Sequence, residues 1–196
     1  MTTTQHATPQ TPHAPQSGER VLLHVCCAPC SCVILERMKE AELCPSILFY
    51  NPNIHPEKEY ERRKAEVIRF ALIHDIPFFD ADYDVQNWMT KTKGLEAVPE
   101  RGRRCDVCFT MRLSYTAAFA KAKGFSWFAT SLSISRQKDQ AQVHRAGHLA
   151  AQEGGPAFWD CNWRQQGGLA RGAELSREMG FYRQDYCGCL YSRRLK

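Results

Sequence analysis

Three tight cysteine groups stand far apart in this chain, near its start, middle and end: Cys26-Cys27, Cys105-x-x-Cys108 and Cys187-Gly188-Cys189. Cys30 and Cys32 lie beside the first group. A single buried cysteine is a common small hydrophobe. Three close sets separated by ordinary globular sequence point instead to thiolates converging on a metal or redox centre. A fold that serves such a centre must bring all three groups to one place.

Ten cysteines in 196 residues fit a disulfide-stapled secreted domain or a thiol-rich intracellular one. Residues 1–18 carry no apolar run and no cleavage pattern, so they read as a disordered tail and not as a signal peptide. No stretch approaches the length that spans a membrane. The expected location is the cytoplasm, where clustered cysteine means metal ligation or redox chemistry more often than disulfides. The remainder, residues 19–196, is long enough for one domain with a real core.

Short apolar runs alternate with helical patterns. Val21–Val25 reads as a buried strand. Ser31 is placed to cap a helix running to about Glu42, which Cys44-Pro45 ends. Ile47–Tyr50 is a second strand, and a helix from Pro56 to about His74 offers Tyr60, Val67, Ile68, Ala71 and Leu72 as its apolar face. Phe78-Phe79 and Phe125–Thr130 are further strands. Helices are expected over 84–91, 105–124, 139–152 and 169–179, with 94–104 a mobile polar loop. This alternation predicts an α/β fold with a parallel sheet and flanking helices. Ligands in such sheets bind beyond the carboxyl ends of the strands, where the first cysteine group falls.

A helix start favours thiolates through its amide N–H groups and dipole. Cys105 and Cys108 lie one helical turn apart and share a face. Four thiolates suit zinc or an iron–sulfur cluster equally on geometry. The vicinal first pair and the long separations do not match a zinc finger. Cys44 and Cys161 read as buried structural residues and His24 as a satisfied core histidine. His55 is expected to fix its loop. His144 and His148 share the i, i+4 spacing of a zinc pair but lack the adjacent glutamate of a metalloprotease. The net charge is +5. Arg62, Arg63 and Lys64 read as solvated surface. Arg101, Arg103 and Arg104, with Arg193, Arg194 and Lys196, flank cysteine groups and suit a polyanion such as RNA.

Four strings carry a family resemblance: LLHVCCAPCS (22–31), FYNPNIHPEKEYERRK (49–64), RCDVCFTMRL (104–113) and GFYRQDYCGCLYS (180–192). Together they resemble the QueH-type epoxyqueuosine reductases over about residues 20–194. The resemblance implies a fold similar to the adenine-nucleotide α-hydrolase and PP-loop (HUP) group, with Cys26–Cys30 in place of a phosphate loop. It implies removal of the epoxide oxygen of epoxyqueuosine at the wobble position of a tRNA, without cobalamin, as the last step to queuosine. It implies a [4Fe-4S] cluster on Cys26, Cys27, Cys105 and Cys108, and a redox-active disulfide-forming pair at Cys187 and Cys189. A second iron or other metal ion, near Cys30, is a further expectation.

The expected partners are that tRNA and a ferredoxin- or flavodoxin-like electron donor. Asp106, Asp185, Tyr182 and Tyr186 adjoin the cysteines and are candidate proton donors. Trp163, Phe181, Tyr182 and Tyr186 are candidates to stack on an unstacked base. Three rival readings remain at the level of sequence. A PP-loop-like tRNA sulfur-transfer enzyme would need ATP, and no phosphate loop is present. A zinc-binding RNA-docking module would hold zinc without sulfide. A CxxC thiol–disulfide oxidoreductase would carry Trp or Pro beside Cys105, and does not.

Overall fold

The computed structural model describes residues 14–152 and 155–192. Strand β1 (Arg20–His24) leads into helix α1 (Ala28–Glu40). Then come β2 (Cys44–Phe49), α2 (Glu57–Ile73), β3 (Phe78–Asp80) and α3 (Val85–Thr92). Helix α4 (Arg103–Ala122) precedes β4 (Trp127–Thr130), which runs into a single 3-10 turn at Ser131–Ile134. Helix α5 (Gln140–Gln152), strand β5 (Ala157–Phe158) and helix α6 (Gly168–Glu178) follow, and a 3-10 turn at Leu190–Ser192 ends the described chain.

All five strands are parallel, in the order β3-β2-β1-β4-β5. Successive residues of a strand face opposite sides of the sheet. Val21 and Leu23 of β1, with Ile47 and Phe49 of β2, therefore pack against α1, α2 and α6. Leu22, Leu48 and Phe128 face the other way, toward α4, α5 and Trp88 of α3. Both faces are covered, which is why these strands are continuous apolar runs without polar alternation. His24 fits within this core because Thr130 Oγ1 and the Tyr50 carbonyl, both from neighbouring strands, meet its two ring nitrogens at 3.0 and 3.1 Å.

Element types follow the sequence reading, and the differences lie at boundaries. Helix α1 starts three residues before Ser31, with extended Cys27 at its N-cap and Pro29 in its first turn. Ser31 sits inside the helix and donates back to the carbonyls of Cys27 and Ala28 at 3.0 and 3.2 Å. On α2 the buried stripe is Tyr60, Arg63, Val67, Phe70 and Ala71. Leu72 is 74% exposed, because one residue beyond Ala71 is a turn of about 100° away from the core. The segment 94–102 wraps around buried Arg104, which donates to the carbonyls of Leu95, Glu96 and Val98. Strand β5, two residues long, carries too little pattern to be legible.

Residues 1–13 of the expected tail, and Arg193, Arg194 and Lys196, lie outside the described residues. Residues 17 and 18 touch the fold: Ser17 Oγ and the Gly18 amide donate to Glu42. Among the described residues no helix is long and apolar enough to cross a membrane.

Leu23→Ala, at the centre of the sheet, is expected to lower stability by roughly 2–5 kcal/mol in urea denaturation. Leu72→Ala, the same chemistry on the solvent side of α2, is expected to change it by less than about 0.5 kcal/mol.

Candidate metal and redox centre

The sheet order reverses between β1 and β4, so their carboxyl ends open a crevice. Cys26 and Cys27 leave β1 directly into it, and Cys30 follows one turn into α1. The sulfurs of these three lie within 4.8 Å of one another. From the 3-10 turn after β4, Ser131 Oγ accepts the Cys26 amide at 3.3 Å and donates to its sulfur at 3.7 Å. Gln184 Nε2 donates to Cys27 Sγ at 2.9 Å.

The three thiols act on one another's acidity. Hydrogen bonds from Cys27 and Cys30 hold the Cys26 pKa well below the ordinary thiol value, with help from Lys138 and Arg112. The bonds they donate to Cys26, and burial, push Cys27 far up and Cys30 to about 12. Cys26 is therefore the most acidic of the three, and Cys27 and Cys30 resist deprotonation.

Cys105 and Cys108 project from the first two turns of α4. They share a small cavity of about 30 Å³ with Cys187 and Cys189. Burial raises Cys108, and it raises Cys105 to about 11 and Cys189 to about 12. The terminal segment reaches this place through the 54–55 loop: Ile54 and Cys189 form an antiparallel bridge, and the His55 amide donates to the Gly188 carbonyl at 2.8 Å. Gly188 has φ +101°, and a Cβ there would stand 2.9 Å from the Ile54 side chain. Only glycine fits that turn without displacement.

Arg63 fixes the same segment from α2. It is 2% exposed, pairs with Glu59 at 2.7 Å, and donates to the carbonyls of Tyr186 and Cys187 at 3.2 Å each. The solvated-surface reading is thus wrong for Arg63; the stripe it shares with Tyr60 and Val67 was the available signal. Burial works against its charge, but Cys27 and Glu59 outweigh that and its pKa rises.

Two further cations, neither singled out by sequence, border the sulfurs. Arg112 is buried and donates to Asn51 Oδ1 at 2.6 Å, while Asn51 donates to the Val25 carbonyl at 2.8 Å. Lys138 lines the small cavity. Burial lowers its pKa, yet Cys26, Cys187 and Cys30 overcome this and the net shift is upward. Among the described residues neither cation has a carboxylate partner within ion-pair distance. The groups that favour the charge on Lys138 are the sulfurs of Cys26, Cys187 and Cys30.

The structure thus gathers seven of the ten cysteines at one end of the sheet, as two neighbouring groups that share the cations Arg112 and Lys138. The ligand set implied by resemblance, Cys26, Cys27, Cys105 and Cys108, takes two from each. All ten cysteines are free thiols in the structure, Cys187 and Cys189 included. Cys44 is exposed and Cys161 half-buried, so the buried structural role expected of them does not hold for Cys44.

Other sequence candidates are committed elsewhere. Trp163 and Phe181 are core residues. Arg62 stacks over the Tyr182 ring at 3.4 Å, and Tyr182 bonds to Glu59. Tyr186 donates to the His55 carbonyl. The His55 ring Nε2 is buried and unpartnered, so its backbone, and not its imidazole, joins the loop to the tail. Asp106 faces Arg145 at 3.7 Å and Asp185 is exposed. His144 and His148 both pair with Asp160, at 2.6 and 2.7 Å, and tie α5 to the end of β5. Arg104 is buried, and Arg101 turns toward the carbonyls of Arg136 and Gln137.

A doubly covered parallel sheet with clustered thiols at its switch point defines an α/β protein with a thiol centre. The U34-tRNA thiolase NcsA from Methanococcus maripaludis, solved with its [4Fe-4S] cluster, shares the fold at a TM-score of 0.56. It is 12% identical over 91% of this chain, which spans 63% of that protein. A family model described as epoxyqueuosine reductase QueH matches residues 21–195. The QueH proteins of Acinetobacter baylyi and Haemophilus influenzae are 49% and 50% identical over 92% of this chain, covering 83% and 74% of those proteins. That of Thermotoga maritima is 34% identical over 88% of this chain and 89% of its own length. The chain belongs to the QueH family of epoxyqueuosine reductases.

Replacing Arg63 by Met is expected to cost roughly 3–5 kcal/mol, because it strips Glu59 of its buried partner and frees two carbonyls. Amide exchange at 186–189 should accelerate most. Arg63→Lys should not restore protection, since one ammonium cannot span the fork of three acceptors.

Proposed function

We propose that this chain reduces the epoxide of epoxyqueuosine in tRNA to the alkene of queuosine. Its family membership over residues 21–195 carries this reading, and the thiol centre at the sheet switch point supports it. The reaction takes two electrons and two protons: both epoxide C–O bonds break, a C=C bond forms, and the oxygen leaves as water. An oxidoreductase acting on tRNA follows from this reading, with a ferredoxin- or flavodoxin-like donor as the electron source.

A [4Fe-4S] cluster fits the donor set, because abundant thiols beside buried Arg112 and half-buried Lys138 suit an anionic cluster. Cys26, Cys27, Cys105 and Cys108 are its proposed holders, and when bound it would supply single electrons. Cys187 and Cys189 are the proposed redox thiols, supplying electrons as a pair or acting as ligands of a second metal ion. Lys138 and Arg112 stabilise the negative charge that gathers at the sulfurs. Ser131 and Gln184 orient Cys26 and Cys27 by the hydrogen bonds described above. Where a PP-loop enzyme would cradle phosphate, the start of α1 presents Cys26, Cys27 and Cys30, which argues against ATP-dependent sulfur transfer. The cytoplasm, where tRNA is modified, is the proposed location.

Incubated anaerobically with epoxyqueuosine tRNA and a chemical reductant, without ATP, the enzyme should yield a wobble nucleoside lighter by one oxygen atom. Cys187→Ser should lower that turnover by about 100-fold or more while tRNA affinity stays unchanged. Unaltered turnover in Cys187→Ser would remove the tail thiols from the reaction.

A further inference from the structure

Two cavities border the thiol region, and the loop after β4 runs between them. Gln137, Lys138 and Asp139 line the smaller, about 30 Å³, whose walls carry the four thiols of α4 and the tail. Ile134, Ser135 and Arg136 line the larger, about 210 Å³. Its inner wall is Cys30 in the first turn of α1, so it reaches the other thiol group. Its far wall is α6, where Ala173 and Ser176 face it, and Arg183 and Gln184 of the tail close it.

Size limits what this cleft can hold. Pockets that enclose a drug-sized ligand run to about 300–1,000 Å³. At about 210 Å³ it takes one substituted ring and not a whole nucleotide.

The lining chemistry narrows the ligand further. Ser176 is 3% exposed, yet its Oγ has no hydrogen-bond partner, and the same holds for the buried Gln184 Oε1. Buried polar atoms are nearly always paired, so these two await a ligand that donates or accepts. Gln184 also donates through Nε2 to Cys27 Sγ at 2.9 Å, so one amide links a cluster-group sulfur to the cleft. Arg136 and Arg183 are exposed, and no acidic side chain is among the described lining residues. The glycines of α6 do not explain the space. Gly168 and Gly172 are dictated by packing on the Trp163 carbonyl and on Val33, whereas Ala173 leaves room that a larger side chain would fill.

We propose that this cleft seats the oxygenated cyclopentane ring of the substrate nucleotide, with Arg136 and Arg183 holding the backbone phosphates that remain outside. The inference rests on the reductase reading. Cys30 brings the ring to the thiol centre, and Gln184 and Ser176 meet its oxygen substituents. Gln184 is a positioning residue, since it acts on both the ring and Cys27. Base and ribose stay at the mouth, which matches a volume too small for them.

Ala173→Leu tests the seat. Leucine suits a helix nearly as well as alanine, and its side chain fills the cleft without touching a candidate ligand of the cluster. Its kcat/KM on epoxyqueuosine tRNA should fall about 100-fold or more. Iron and sulfide content, and affinity for the same tRNA, should match the wild type. Arg136→Gln and Arg183→Gln should each raise KM with kcat preserved. Each should also reduce the slope of log affinity against log salt by about one.

A fully iron-loaded Ala173→Leu enzyme that turns over like the wild type would overturn the seat. So would unchanged salt slopes in both arginine variants, which decide the matter should Ala173→Leu fail to fold. A wild-type enzyme that never reduces the substrate would instead overturn the reductase reading, and the seat with it.

Discussion

Everything at this end of the sheet depends on charge balance between the sulfurs and three cations, Arg63 and Arg112 buried and Lys138 half-buried. Arg63, Arg112 and Lys138 come from three different elements and meet at the thiols. Burying an unpaired guanidinium or ammonium is costly unless an anion lies near. Glu59 serves Arg63, whereas among the described residues neither Arg112 nor Lys138 has a carboxylate within ion-pair distance. The cations favour the thiolate form of Cys26, and the sulfurs in turn favour the charge on Lys138. A centre that binds a metal or cluster as thiolates exploits that coupling in both directions.

The topology explains how distant cysteines meet. Strand β1 is central, flanked by β2 and β4, so the crevice beyond its carboxyl end is where chain segments from both halves arrive. Cys26 and Cys27 come directly from β1, Ser131 from the 3-10 turn after β4, and Cys105 and Cys108 from α4. The tail is not part of the sheet. It reaches the crevice only because the 54–55 loop, Arg63 and the left-handed Gly188 hold it there.

Most of this was legible in the sequence wherever a local pattern carried the information. The apolar runs at 21–25 and 47–50 could only be buried strands, and the paired cysteines could be located at the end of the first. The start of α1 was misplaced because Ser31 offers a capping hydroxyl, while extended Cys27 and Pro29 fix the true start. Arg63 was hidden by its neighbours: Arg62 is exposed, Lys64 half-buried and ion-paired with Glu61 and Asp80, and a charged triplet resembles surface. Gln184, Lys138 and Ser131 lie in loops with no period, so only tertiary contacts assign them. Phe181 and Trp163, next to the terminal motif in sequence, proved to be core because α6 carries them under the opposite face.

Metal analysis of anaerobically purified protein tests the central claim most directly. About four irons and four acid-labile sulfides per chain, with broad visible absorption from a thiolate-held cluster, are expected; iron beyond that would mark a second metal ion. Zinc alone, with no sulfide even after anaerobic reconstitution, would contradict an electron-transferring thiol centre.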